Sequence, residues 1–209
     1  MIAVDVRDVV DTTEDLRALY GDPSALAARK QLDRLDRHAR RFIELSPFLV
    51  ISTHGADGLG DVSPKGDAPG FVAVLDDRTI LIPDRPGNNR IDTLSNLTAH
   101  AGVGLLFLVP GVNETLRING RARIITDTSL LTPLAVRDRL PKTGILVAID
   151  EVYLHCAKAL VRAKLWEEEN RVERTVLPSL GQMIADQVEG VDGEAAEARV
   201  QESLRDRLY

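Results

Sequence analysis

The sequence predicts a mainly β protein with flanking helices, an α+β chain whose strands curl into a small closed or nearly closed barrel. Three observations predict it. Residues 47 to about 156 contain six short runs rich in leucine and β-branched residues, the composition that suits a pleated, half-buried surface. Most of these runs are joined by turns too short for a crossover, which favours antiparallel pairing. Apolar residues at helical spacing dominate before and after this stretch, where they mark amphipathic cover for something apolar.

The elements follow in order. "TTEDLRALYG" offers Thr12 or Thr13 as cap, acids in its first turn and Gly21 as its stop, the grammar of a short helix. "DPSALAARKQLDRLDRHARRFIEL" restarts with Pro23 near the first turn and places Leu26, Leu32, Leu35, Ala39 and Phe42 near one face. The strands are "FLVISTHG", "FVAVLD", "TILIPD", "AGVGLLFLVPG", "ETLRINGRARIIT" and "GILVAIDEVYLH", bounded by "GADGLG", "DDR" and "PG" turns. Closing them into a barrel removes exposed edges. One long connection, "RPGNNRIDTLSNLTAH", carries Ile91, Leu94 and Leu97 at helical spacing. The helical period returns in "CAKALVRAKLW", and "LPSLGQMIADQVEG" and "EAAEARVQESLRDRLY" read as two further helices. The organisation is a single domain over 1–209: a helical cover at 10–45, the barrel at 46–166 and a helical tail at 167–209. The tail reads as a solvated or partner-bound helical pair.

Composition excludes several functions. With 26 Lys+Arg against 32 Asp+Glu and a formal charge of -6, the chain shows no footprint for nucleic acid or an anionic membrane surface. Its longest apolar runs, such as "VGLLFLV" at 103–109, are far below the roughly 20 residues of a spanning helix. "MIAVDVRDVV" is charged where a signal peptide is apolar, so a cytoplasmic protein is expected. The single Cys156 has no partner for a disulfide or a thiolate metal site and reads as a small core residue.

The candidate chemistry lies in "VSPKGDAPGFVAVLDDRTILIPDRPGNNR", residues 62–90. A hairpin over 62–84 would bring Lys65, Arg85 and Arg90 to one pocket. Asn89 and Arg90 begin an expected helix over 88–98, where unpaired N–H groups and the positive end of the macrodipole suit a phosphate. The same residues also read as an ordinary turn with an asparagine N-cap. Arg117 and Arg121 alternate with apolar positions and read equally as the polar face of a strand. His155 reads as a satisfied buried histidine or as a base, and Lys158, Arg162 and Lys164 as a solvated helix face. Trp166, the one tryptophan, offers a large amphipathic surface of the kind that caps a ring or a dimer seam.

The motifs "SPKGD.PGFV", "PDRPGN.R", "LLFL.PG..ETLR.NGRA" and "HCAKAL.R..LW", in that order, resemble the pyridoxamine 5′-phosphate oxidase-like family of FMN-binding split β-barrels, and more narrowly a bacterial subgroup described as FMN-dependent enzymes. The resemblance runs from about Leu45 to Trp166. It implies an FMN-binding flavoprotein, an oxidoreductase acting on an unidentified small molecule or electron donor, and a homodimer with two clefts at the subunit interface. By residue, it implies that Gly87, Asn88, Asn89 and Arg90 hold the FMN phosphate. Ser63 and Lys65 then run along the flavin ring, and Pro83, Asp84 and Arg85 lie at its ribityl side. The resemblance also implies that Arg117 reaches the cleft and that His155, Lys158 and Trp166 approach the flavin from the partner subunit. The pyridoxamine-phosphate oxidases proper carry a carboxy-terminal Arg/His segment for the substrate phosphate. "EEENRVERTVLPSLGQMIADQVEG" does not show one, so vitamin B6 does not carry over as the substrate. Two other classes share the outline: a non-catalytic flavin carrier or sensor, and a haem-binding split barrel with His155 or His54 as axial ligand.

Overall fold

The computed structural model describes residues 7–209. The described residues divide into two compact units, one ending at Gln31 and the other over residues 32–209.

In the first unit, α1 (Thr13–Tyr20) begins where the Thr12 hydroxyl accepts a hydrogen bond of 3.1 Å from the Asp15 N–H. It ends at Gly21, whose φ of +67° is left-handed backbone that glycine adopts at no steric cost. A second helix, α2 (Ala25–Arg29), is capped by Ser24.

In the second unit, α3 (Arg37–Leu45) starts afresh: Asp36 accepts from the N–H groups of His38 and Ala39 at 3.0 and 2.8 Å. The sequence suggested one helix from Pro23 to Leu45. The break has a physical cause, because Leu32 exchanges backbone hydrogen bonds of 3.0 and 2.8 Å with Val152, which fixes an extended backbone there. Of the expected apolar face, Leu35 and Ala39 are buried and Phe42 packs on the core.

Seven strands follow, all pairs antiparallel. They are β1 (Phe48–His54), β2 (Gly60–Gly66), β3 (Ala73–Val74), β4 (Thr79–Pro83), β5 (Gly102–Leu108), β6 (Thr115–Ile125) and β7 (Gly144–His155), in the spatial order β2-β1-β5-β6-β7-β4-β3. The expected strand "FVAVLD" shrinks to two residues. β2 falls in none of the six expected runs, because "GDVSPKG" carries no apolar alternation and contains Pro64. Proline removes a ladder donor and is tolerated at a sheet edge, and β2 is that edge.

Alternation decides the core. Leu49 and Ile51 of β1, Val103, Leu105 and Phe107 of β5, Leu116 and Ile118 of β6, and Ile145 and Val147 of β7 point inward and are buried. Each such side chain contributes roughly 1.5–3 kcal/mol by leaving water. Between β6 and β7 the register shifts at Asn119/Gly120, and the buried positions of β7 change phase from Ile149 to Val152. A Cβ on Gly120 would stand 2.2 Å from the Ala148 carbonyl oxygen. Glycine is therefore required where the two backbones close on one another.

Helix α4 (Asp92–Ala99) docks on the sheet through buried Thr93 and Leu97. Its Asn96 amide donates to the buried Thr53 hydroxyl at 3.0 Å and to Asp61 at 2.8 Å. After β6 comes α5 (Thr128–Leu131), and after β7 comes α6 (Lys158–Ala163). The tail holds α7 (Leu180–Gln187) and α8 (Gly193–Asp206), packed on each other so closely that a Cβ on Gly181 would meet the Glu197 backbone nitrogen at 2.2 Å. Cys156 is exposed, which corrects the expected core role: it follows the last ladder residue of β7 and precedes α6, outside the alternation that buries the strand.

Candidate functional site

The two ends of the sheet converge. β2 ends one side of the strand order and the β4–β3 pair ends the other, yet Lys65 Nζ lies 3.7 Å from Asp84 Oδ1 and Arg85 Nε donates to Asp67 Oδ2 at 2.6 Å. The expected hairpin over 62–84 is thus not a hairpin. β2 pairs with β1 and β4 with β7, and curvature of the whole sheet brings Lys65 and Arg85 together.

A cavity of about 630 Å³ opens at this seam. One wall is Ser63, Pro64 and Lys65 of β2; a second runs from Asp84 through Leu94; a third is Arg139 to Lys142 with Tyr209. The sequence candidates Ser63, Lys65, Asp84, Arg85, Asn88, Asn89 and Arg90 all line it. The Asp84 N–H donates to the Thr143 carbonyl at 3.0 Å, which fixes the end of β4 against the segment leading into β7.

The helix start differs from the expectation. Asn89 and Ile91 adopt left-handed backbone, φ 59° and 53°, a conformation that excludes a helix through them, so α4 begins at Asp92. The Asn88 side-chain oxygen accepts from the Arg90 N–H at 3.1 Å, an asparagine turn before the helix. Ile91 is a β-branched residue held at positive φ, a costly state of the kind that collects at ligand clamps. Arg90 is largely exposed and pairs with Asp92 at 2.8 Å.

Arg85 is the most constrained cation. Its guanidinium also donates to the Leu134 carbonyl at 2.9 Å. Asp67, whose side chain is 2% exposed, accepts from Arg85, from the Ala68 N–H at 2.7 Å and from the Tyr209 hydroxyl at 2.7 Å. Burial pushes the Asp67 carboxyl up, but the hydrogen bonds from Tyr209, Ala68 and Arg85 outweigh it and hold the group below its ordinary 3.8.

Arg117, His155, Lys158 and Trp166 lie outside this cavity. Arg117 pairs with Glu151 and stands 5.0 Å from the Tyr153 ring centre. Tyr153 meets His155 edge-on at 5.0 Å. The Trp166 indole N–H donates to the Val112 carbonyl at 2.9 Å, and Lys158 opens α6 in an exposed position. Sequence reasoning missed Asp67, Arg139, Lys142 and Tyr209 as site residues. The cations of "VRDRLPKTG" between two strands were a readable signal for Arg139 and Lys142. For Tyr209 there was none, since its partner Asp67 is 142 positions away.

The described residues contain no cluster suited to a metal ion and no helix long and apolar enough to cross a membrane. The antiparallel sheet curls into a split β-barrel with a cation-lined cavity at its seam. The chain belongs to the pyridoxamine 5′-phosphate oxidase family, whose sequence model matches residues 35–156. No curated protein matches it. Among solved structures it is similar to HupZ of Group A Streptococcus, at 16% identity and a TM-score of 0.49 over 57% of this chain and 93% of that one. It is also similar to a Lactobacillus delbrueckii protein assigned to the pyridoxamine 5′-phosphate oxidases, at 20% identity and a TM-score of 0.47 over 59% and 98% of the two chains. A third is an FMN-binding protein from Syntrophomonas wolfei, at 10% identity and a TM-score of 0.43 over 68% and 96%.

Proposed function

We propose that this protein is a flavoprotein that binds FMN in the seam cavity and acts as an oxidoreductase on a small molecule. One observation carries the reading. In a chain of formal charge -6, the cavity gathers Lys65, Arg85, Arg90, Arg139 and Lys142 against Asp84 and Asp92, with Asp67 behind Arg85. Such local excess attracts an anion by focusing the field in a low-dielectric cleft.

The donor set fits FMN. Arg90 with the Asn88–Asn89 turn would hold the phosphate, Arg85 and Asp84 would meet the ribityl hydroxyls, and Lys65 and Ser63 would line the ring. Pro64, Ile91, Leu94, Leu140 and Tyr209 supply the apolar surface a planar ring requires. The volume lies within the roughly 300–1,000 Å³ typical of small-molecule sites. A bound flavin supplies the electron chemistry, while the chain binds, orients and hydrogen-bonds it. In the same reading the protein is a cytoplasmic homodimer, and Arg117, His155, Lys158 and Trp166 of one copy wall the cavity of the other.

The absorbance spectrum of freshly purified protein tests the cofactor. A flavin band, with FMN released on denaturation, supports the reading; a Soret band, or no uptake of added FMN, overturns it. A screen of NAD(P)H and deazaflavin donors then separates an oxidoreductase from a carrier or sensor, which turns none of them over. Light scattering of the loaded protein tests assembly, and a monomer with full FMN overturns the shared cavity.

A further inference from the structure

Tyr209 is the one cavity residue contributed from beyond α8, and three interactions seat it. Its hydroxyl donates to Asp67 at 2.7 Å, Arg139 donates to its backbone oxygen, and the Arg137 guanidinium lies 5.1 Å from its ring centre, within cation–π range. The two arginines sit on a tight turn in which Val136 and Arg139 exchange backbone hydrogen bonds of 3.1 and 2.9 Å. Both central residues, Arg137 and Asp138, have positive φ, 49° and 59°, a turn geometry that glycine and asparagine usually supply and that stores strain here.

The segment before Tyr209 lacks an apolar anchor. Arg207 and Leu208 are exposed. Among the described residues of α7 and α8 only Gly181 and Ala196 are buried, and Gly181 is buried against α8 itself. Polar contacts therefore seat Tyr209 at the cavity wall. Segments held in this way open at low free energy, and moving elements are drawn from them.

We propose that Tyr209 is a strap closing the seam cavity, latched on Asp67, and that Asp67 is the positioning residue that sets the strap and the Arg85 guanidinium together. Each Asp67 oxygen has its own task, Oδ2 holding Arg85 and Oδ1 taking the Tyr209 hydroxyl. Ligand passes when the hydroxyl leaves Oδ1, and Arg85 stays in place through Oδ2. The ligand assignment rests on the flavin reading above; the latch itself does not.

The experiment compares wild type with Tyr209→Phe, Tyr209→Ala and Asp67→Asn by stopped-flow fluorescence of FMN uptake and release. Tyr209→Phe keeps the ring and removes only the latch, so it serves if Asp67→Asn fails to fold. A gate slows entry as well as exit, so loss of the latch is expected to raise both rates by about tenfold, as binding that requires a conformational change is slow in both directions. Loss of a simple contact would raise release alone. Unchanged uptake rates in Tyr209→Phe and Tyr209→Ala overturn the strap. A second readout needs no ligand. The Tyr209 phenol is raised above its ordinary 10.0 by its hydrogen bond to Asp67, so ultraviolet titration should show a late-titrating phenol that Tyr209→Phe removes. Asp67→Asn should return it to the normal range. A protein that takes up no FMN but shows this late tyrosine sinks the flavin reading and upholds the latch. Absence of a late tyrosine in wild type overturns the latch.

Discussion

Lys65 Nζ stands 3.7 Å from Asp84 Oδ1 although β2 and β4 lie near opposite ends of the sheet. The pair marks the line on which the barrel closes, and the cavity opens on the same line. Lys65→Ala is expected to change stability by less than about 1 kcal/mol, because a loose, partly exposed ion pair contributes little. Its effect on FMN affinity should be smaller than that of Arg90→Ala if Lys65 meets only the ring or a ribityl hydroxyl. Chemical denaturation and ligand titration of the one variant separate the two roles.

Arg90→Ala should weaken FMN binding by roughly 1.5–3 kcal/mol, the range for hydrogen bonds to charged groups. The fold should be untouched, since Arg90 is exposed and its side chain bonds Asp92. Asp92→Asn is the opposing control, because it removes the carboxylate that competes for Arg90 and should tighten binding. Equal affinity for wild type and Arg90→Ala in a fluorescence titration would remove Arg90 from the phosphate site.

Gly120→Ala should destabilise the protein by roughly 1–3 kcal/mol, the range for overpacking. The new Cβ would collide with the Ala148 carbonyl oxygen at 2.2 Å, a backbone atom that cannot rotate away. Gly60→Ala is the matched control, with nothing within 4 Å of the added Cβ, and should stay within about 0.5 kcal/mol. Comparing thermal midpoints of the two variants checks the bulge.

Phe107→Ala should cost about 3–5 kcal/mol, the usual figure for deleting a buried aromatic ring. Phe107 is fully buried on the interior strand β5, between β1 and β6. A midpoint shift in urea with an unchanged slope would assign the loss to stability alone.

The Asp67–Tyr209 pair predicts a pH dependence at both extremes. Asp67 titrates lower in the folded protein than its ordinary 3.8, so its contribution is present above that value and is lost as pH falls through the folded one. Tyr209 titrates higher than its ordinary 10.0, so its contribution is present below that value and is lost as pH rises through the folded one. Asp67→Asn should flatten the acid limb of the stability curve and Tyr209→Phe the alkaline limb. Denaturation midpoints across the pH range read both.

The sequence by itself determined the strands with a clear period. β1, β5, β6 and β7 lie where alternating or Leu-rich runs put them, because an alternating segment has only one face to bury. It also suggested that Lys65, Arg85 and Arg90 meet, and all three line the seam cavity. Tertiary structure alone decided the rest. β2 is a strand because β1 offers it a ladder, not because "GDVSPKG" favours one. The helix after residue 88 starts at Asp92 because Asn89 and Ile91 are held left-handed, a constraint that composition does not encode. Asp67 meets Tyr209 across 142 positions, and no local period records a contact made only when the sheet curls and the tail returns.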